Sequence, residues 1–183
     1  MKRSTDFILT THTGSLPRPA AVLEGMRARE AGTLADEAAL EAAIATEVAN
    51  SVRRQLECGI HVVNDGECGR PNFHVYAAER LSGFERRVPP GGVPVPTGPL
   101  GLTGRDAELF PDFYKQLLDN NPFDAAIRIA PRVCTGPVKY VGHARLQADI
   151  TRLKAAADAG GASDAFMSST SPIPAAKNEY YAS

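Results

Sequence analysis

The chain has 183 residues, 43% hydrophobic and 22% charged, which suits one soluble globular domain large enough to bury a core. A net charge of -1 leaves no electrostatic footprint for nucleic acid or an anionic membrane, and no apolar run approaches the roughly 20 residues that span a bilayer. Cys58, Cys68 and Cys134 stand at unrelated spacings and make no disulfide framework, so a reduced, cytoplasmic protein is expected. The basic start is followed only by Phe7-Ile8-Leu9 before polar residues, too short for the apolar region of a signal peptide.

Residues 7–11 form a β-prone run that opens into His12-Thr13-Gly14-Ser15 and is closed by Pro17 and Pro19, the pattern of a strand entering a loop. Residues 20–30 read as a helix broken at Gly32, with Thr33 placed to cap the next one. That second helix is the clearest element. Leu40, Ile44, Val48, Val52 and Leu56 recur every fourth residue, with Ala39 and Ala43 widening the stripe. Acidic residues gather at its start, Arg53 and Arg54 near its end, and Gly59 supplies the stop.

Residues 60–64 are the next expected strand, ending in the turn Asp65-Gly66-Glu67, and residues 73–81 the next helix. Residues 85–105 are rich in Pro and Gly and are expected to form a long loop. A helix at 107–118 follows, then short strands at 126–130 and 138–141 on either side of Thr135-Gly136-Pro137. Residues 144–159 read as an amphipathic helix through Leu146, Ile150, Leu153 and Ala157, ended by Gly160-Gly161. Residues 165–168 are a last strand with the exit loop 169–172.

Strands alternating with helices imply a parallel sheet with helices on its faces. An open doubly wound sheet and a (β/α)₈ barrel share that pattern. The sequence carries no G-x-G-x-x-G or Walker-type loop after a strand, which removes the usual nucleotide sites of the open fold. The polar clusters 12–15, 65–67 and 168–171 each close a strand, and a barrel gathers its active site at that end.

Gly14 lets the backbone turn close to a ligand, and the Thr13 and Ser15 hydroxyls and amides could hold a carboxylate. An ordinary strand-to-loop turn would look the same. Glu67, at the end of a buried strand, could bind a substrate ammonium or act as an acid or base. It could equally be a structural partner for Arg70. No H-x-C, C-x-x-C or H-E-x-x-H spacing occurs, so no zinc site is expected in this chain. His61 and His74 are read as structural and Cys58 as packed at a helix end.

The run from Thr10 through His12-Thr13-Gly14-Ser15 to Pro19 resembles the opening motif of the catalytic barrel of cobalamin-independent methionine synthases and their short single-barrel relatives. The stretch from Gln55 through Gly59 to Asn64-Asp65-Gly66-Glu67 is similar to that family's second motif. Tyr76, Arg80-Leu81, Gly83-Phe84, Thr135 to Tyr140, Phe166-Met167, Ser171-Pro172 and Asn178 to Tyr181 extend the likeness.

The resemblance implies an incomplete (β/α)₈ TIM-type barrel, with residues 1–183 as its N-terminal half and about four of its strands present. It implies a zinc-dependent methyltransferase that moves a methyl group from methyltetrahydrofolate to the thiol of homocysteine. Thr13, Gly14 and Ser15 would meet the amino acid's carboxylate and Glu67 its amine, whereas the zinc ligands would come from later strands absent here. No catalytic residue is assigned. The chain alone is then expected to be inactive, to hold no stoichiometric zinc, and to self-associate or pair with a complementary half. A coenzyme M-type thiol transferase of the same superfamily and a non-catalytic binding module are the alternatives.

Overall fold

The computed structural model describes residues 2–87, 105–113, 116, 132–169 and 177–182. In chain order the elements are α1 (Ala20–Ala31), α2 (Glu37–Glu57), β1 (Val62–Val63), α3 (Phe73–Ala78), β2 (Phe84–Arg86), α4 (Arg105–Leu109), β3 (Arg132–Cys134), α5 (His143–Gly160), β4 (Asp164–Ala165) and β5 (Lys177–Asn178). They fall into two units, one built from Met1–Ser82 with Lys139–Ile173 and the other from Gly83–Val138 with Pro174–Ser183.

In the first unit the i+4 stripe of α2 does what its spacing dictates. Leu40, Ile44, Val48 and Val52 are buried, each such side chain contributing roughly 1.5–3 kcal/mol. Asp36, not Thr33, caps this helix, its side chain accepting from the Ala39 amide. Thr33 belongs to the end of α1 instead, its amide donating to the Ala28 carbonyl while Gly32 takes the left-handed conformation. The three-residue shift follows from Gly32: once it turns the chain, Thr33 closes α1.

β1 and β4 pair in parallel, Val62 opposite Asp164 and Val63 opposite Ala165. Thr11 joins the other edge of β1 through a single parallel bridge to Val62. The strand expected at 7–11 is thus reduced to its last residue, and Phe7 and Ile8 are exposed. α2 and α5 pack against each other and cover this small sheet, with Val52, Val63, Leu153 and Ala157 at the centre and Leu56, Ala156, Ala165 and Met167 around them. Gly160 permits the close approach, since a Cβ there would sit 2.5 Å from Leu56 Cδ1.

The second unit holds a mixed sheet in the order β2-β3-β5, antiparallel between β2 and β3 and parallel between β3 and β5. Here the sequence reading needs correction. Residues 132–134 form the strand, while Val138, Tyr140 and Val141 are exposed and only Tyr140 makes a bridge, antiparallel to Leu81. Alternation of apolar residues marked 138–141, but no ladder pairs it. Phe84–Arg86 is a strand, so the expected 85–105 loop begins later than its composition implied. The helix expected at 107–118 starts earlier, at Arg105–Leu109, and the described residues 111–113 and 116 are helical as well. The strand expected at 126–130 lies outside the described residues, as does most of the Pro/Gly stretch.

Neither sheet closes on itself among the described residues. Leu153 joins the helix layer to β1 and is 5% exposed. Leu153→Ala should cost about 2–5 kcal/mol, read as a lower urea midpoint at unchanged slope. An unchanged midpoint would mean that α5 does not seat on the sheet as described.

Candidate functional site

Parallel pairing sends the chain out of Thr11, β1 and β4 at the same end, which brings together three polar loops far apart in sequence. The loop after β1 is fixed first. Gln55, buried in α2, clamps Asn64 at both ends: its Nε2 donates to the Asn64 carbonyl at 2.8 Å and its Oε1 accepts the Asn64 amide at 3.1 Å. The Asn64 side chain then reaches both neighbours, Nδ2 donating to the His12 carbonyl and Oδ1 accepting the Gly66 amide at 2.8 Å. The Leu16 amide donates to the Gly66 carbonyl at 3.0 Å, closing the 12–16 loop onto the 64–67 turn.

The turn itself is strained. Gly66 and Glu67 both have positive φ, 60° and 57°, and Glu67 is the one non-glycine residue with positive φ among the described residues. That conformation costs an ordinary side chain about 1–2 kcal/mol and often marks a functional position. Asp65 holds it in place, Oδ1 accepting the Glu67 amide at 3.1 Å.

Glu67 is 4% exposed. Its carboxylate accepts from the Ser15 hydroxyl on Oε2 and from the Ser168 hydroxyl on Oε1, the latter at 3.0 Å. No cation among the described residues lies within ion-pair distance of it. Arg70 pairs with Asp65 at 2.9 Å instead, so the structural Glu67–Arg70 pair is not formed. Arg18 donates to the carbonyls of Glu67 and Arg70 at 3.0 and 2.7 Å. Burial lowers the Arg18 pKa, with Cys68, Glu67 and Asp65 pulling the other way.

Thr13, Gly14 and Ser15 make the outer wall. Gly14 has φ 112°, and His12 Nε2 donates to its carbonyl at 3.0 Å. Among the described residues the amides of Thr13, Gly14 and Ser15 donate to no protein acceptor, and Thr13 and Ser15 are exposed. A set of open N–H donors beside a buried, cation-free carboxylate is complementary to a zwitterion.

Ser168, Arg70, Asn64 and Gln55 were not singled out from the sequence as site residues, although 168–171 stood out as a polar strand end. Residues 170 and 171 lie outside the described residues. Next to the site, Arg70 and Arg80 lie over the Tyr76 ring, 4.6 and 3.3 Å from its centroid. Tyr76 donates to Asp149 at 3.0 Å, and burial, with Asp149 adding to it, pushes its pKa up to about 12. A cavity of about 270 Å³ lined by Arg29, Glu41, Arg80, Asp149 and Arg152 opens nearby. Its guanidinium groups are each committed to a carboxylate.

For zinc the donor set does not fit. Among the described residues no three His, Cys, Asp or Glu side chains are grouped to hold a metal ion. Cys68 is buried, its Sγ 3.2 Å from the Ser51 hydroxyl, and burial pushes its thiol pKa up, away from the thiolate that a metal needs. His61 uses Nδ1 on the Thr10 hydroxyl at 2.8 Å. Cys58, expected to be packed, is exposed, because it caps α2 beyond the apolar stripe.

The model of the cobalamin-independent synthase catalytic domain matches residues 7–91. The methionine synthase of Sulfolobus acidocaldarius is 43% identical over 85 residues, covering 46% of this chain and 25% of that protein. That of Saccharolobus islandicus strain Y.N.15.51 is 36% identical over 76 residues, 42% of this chain and 23% of that protein. The matched segment is similar to the catalytic domain of the cobalamin-independent methionine synthases. It contains Thr13, Gly14, Ser15 and Glu67, and the match spans about a quarter of the length of these relatives. Among the described residues no helix is long and apolar enough to cross a membrane.

Thiol labelling of the native protein should modify Cys58 rapidly and Cys68 only on unfolding, since burial suppresses both access and thiolate. Equal rates for the two would show that the 64–70 turn is not packed on α2.

Proposed function

We propose that this chain supplies the amino-acid-binding part of a methyltransferase that transfers a methyl group from methyltetrahydrofolate to homocysteine. One observation carries the reading: Glu67 is a buried carboxylate that has two hydroxyl donors and, among the described residues, no cation within ion-pair distance. Burying an unpaired charge is costly, and a substrate ammonium would remove that cost on binding. The open amides of 13–15 would take the substrate carboxylate. The family that residues 7–91 resemble and the methionine synthases similar to them support this choice of amino acid over other zwitterions.

The fold we propose is a (β/α)₈ barrel in which Thr11, β1 and β4 are neighbouring staves, with residues 1–183 as its N-terminal half. Likeness to that family implies zinc and methyltetrahydrofolate in the reaction. Since no described residues fit the metal, the side chains here are assigned only to holding and orienting the amino acid. The outer strands of such a half-barrel would lack their barrel neighbours, which suits a further strand from a second copy or a complementary half. Light scattering at micromolar concentration should therefore show association; a sharp monomer whose β4 amides resist hydrogen exchange would overturn that part.

Glu67→Gln keeps the shape and removes the charge. A charge-assisted bond contributes roughly 1.5–3 kcal/mol, so homocysteine affinity by titration calorimetry should fall about tenfold or more. Unchanged affinity, or intact binding with a large loss of melting temperature, would make Glu67 a structural carboxylate.

A further inference from the structure

A serine hydroxyl carries one proton and two lone pairs and rotates to suit its neighbours, so contact with Glu67 does not by itself make Ser168 a donor. Arg70 settles the matter. Its guanidinium can only donate, and Nη1 lies 2.6 Å from the Ser168 carbonyl oxygen and 3.1 Å from its Oγ. Oγ must accept there, which leaves its one proton for Glu67 Oε1 at 3.0 Å. Arg70 is itself fixed. It is 2% exposed, and Nη2 is paired with Asp65, whose other oxygen holds the Glu67 amide. On the opposite side Arg18 Nη2 stands 3.5 Å from Ser15 Oγ, a weaker version of the same arrangement.

We infer that Arg70 is the positioning residue for Glu67, acting through the Ser168 hydroxyl, and that this pair makes the site specific for a primary ammonium. The inference rests on the amino-acid reading proposed above. A carboxylate has about four lone-pair sites. Ser15 fills one on Oε2 and Ser168 one on Oε1, so one direction stays open on each oxygen. A primary ammonium has three N–H donors and can fill both at once. Without Ser168 the carboxylate is free to turn about its last bond, and the second open direction is no longer aimed. Arg70 touches no substrate in this arrangement; it sets which way a neighbour donates.

The test compares homocysteine with its des-amino analogue, γ-mercaptobutyrate, by titration calorimetry on the full chain and its variants. Ser168→Ala should weaken homocysteine about tenfold and leave the analogue unchanged. Arg70→Lys keeps the charge against Asp65 but loses the two-point grip on Ser168, and it should weaken homocysteine similarly. Combining the two should add little, because Arg70 then has no hydroxyl to orient. Should Arg70→Lys fail to fold, Ser168→Ala alone carries the comparison. Equal losses for both ligands would reduce the pair to scaffold. Full homocysteine affinity in both variants, with Glu67→Gln impaired, would sink the positioning role and spare the amino-acid reading. No effect of Glu67→Gln would remove that reading and this inference with it.

Discussion

A guanidinium sealed from water must find anions and carbonyls around it, since leaving a buried charge uncompensated costs several kcal/mol. Arg70 is the largest fully buried side chain described, and the way its charge is met arranges the site. Asp65 neutralises it. The Ser168 carbonyl and hydroxyl take its other edge, tying the loop after β1 to the loop after β4 across 98 residues of sequence. Because Arg70 is committed in this way, Glu67 three residues earlier meets no cation among the described residues. The local charge pattern is therefore a consequence of which acid won the arginine. Asp65 takes the arginine on Oδ2 while its Oδ1 accepts the Glu67 amide, whereas the Glu67 carboxylate faces Ser15 and Ser168.

Behind this arginine a second layer repeats the solution. Arg80 is 5% exposed, is paired with Asp149 at 2.6 Å and lies over the Tyr76 ring that Arg70 also approaches. Cation–π contact with one ring offsets part of the desolvation of both guanidinium groups. It also accounts for how the Nε atoms of Arg70 and Arg80 are tolerated without a hydrogen-bond partner among the described residues. From Asp149 the charges run on through Arg152 to Glu41 and Arg29, joining α5 to α2 and α1. Each link is worth little if exposed, but this chain is half-buried and ends on the groups that fix the site.

Much of this was legible in the sequence where one element decides its own structure. The i+4 stripe of α2 and the glycines that end α1 and α5 are local signals, and the helices stand where they pointed. The meeting of Ser15 with Glu67 was legible only as two polar strand ends, given a parallel sheet to align them. What could not be read is pairing. Val138, Tyr140 and Val141 look more strand-like than Arg132-Val133-Cys134, yet the ladder forms at the latter because β2 and β5 flank it. In the same way Arg70 is closer in sequence to Glu67 than to Asp65 yet pairs with Asp65, and the choice depends on a backbone conformation at Glu67 that no residue preference would suggest.

That conformation is where stability and the proposed function part. A glycine at 67 would relieve the left-handed strain, and a neutral side chain would avoid burying a charge. The protein has a glutamate there, and the surrounding structure is built to hold it. Gln55 clamps Asn64, Asn64 fixes Gly66, and Asp65 holds the Glu67 amide. Each of these contacts restrains the backbone and leaves the carboxylate itself to two neutral hydroxyls. A structural acid would be expected to take the nearest arginine, and two, Arg18 and Arg70, are within reach of its backbone or its neighbours. Both instead grip carbonyls and Asp65. Under the proposed function, the scaffold uses its buried cations to aim a carboxylate that meets no cation among the described residues, and a positively charged ligand would supply the compensation.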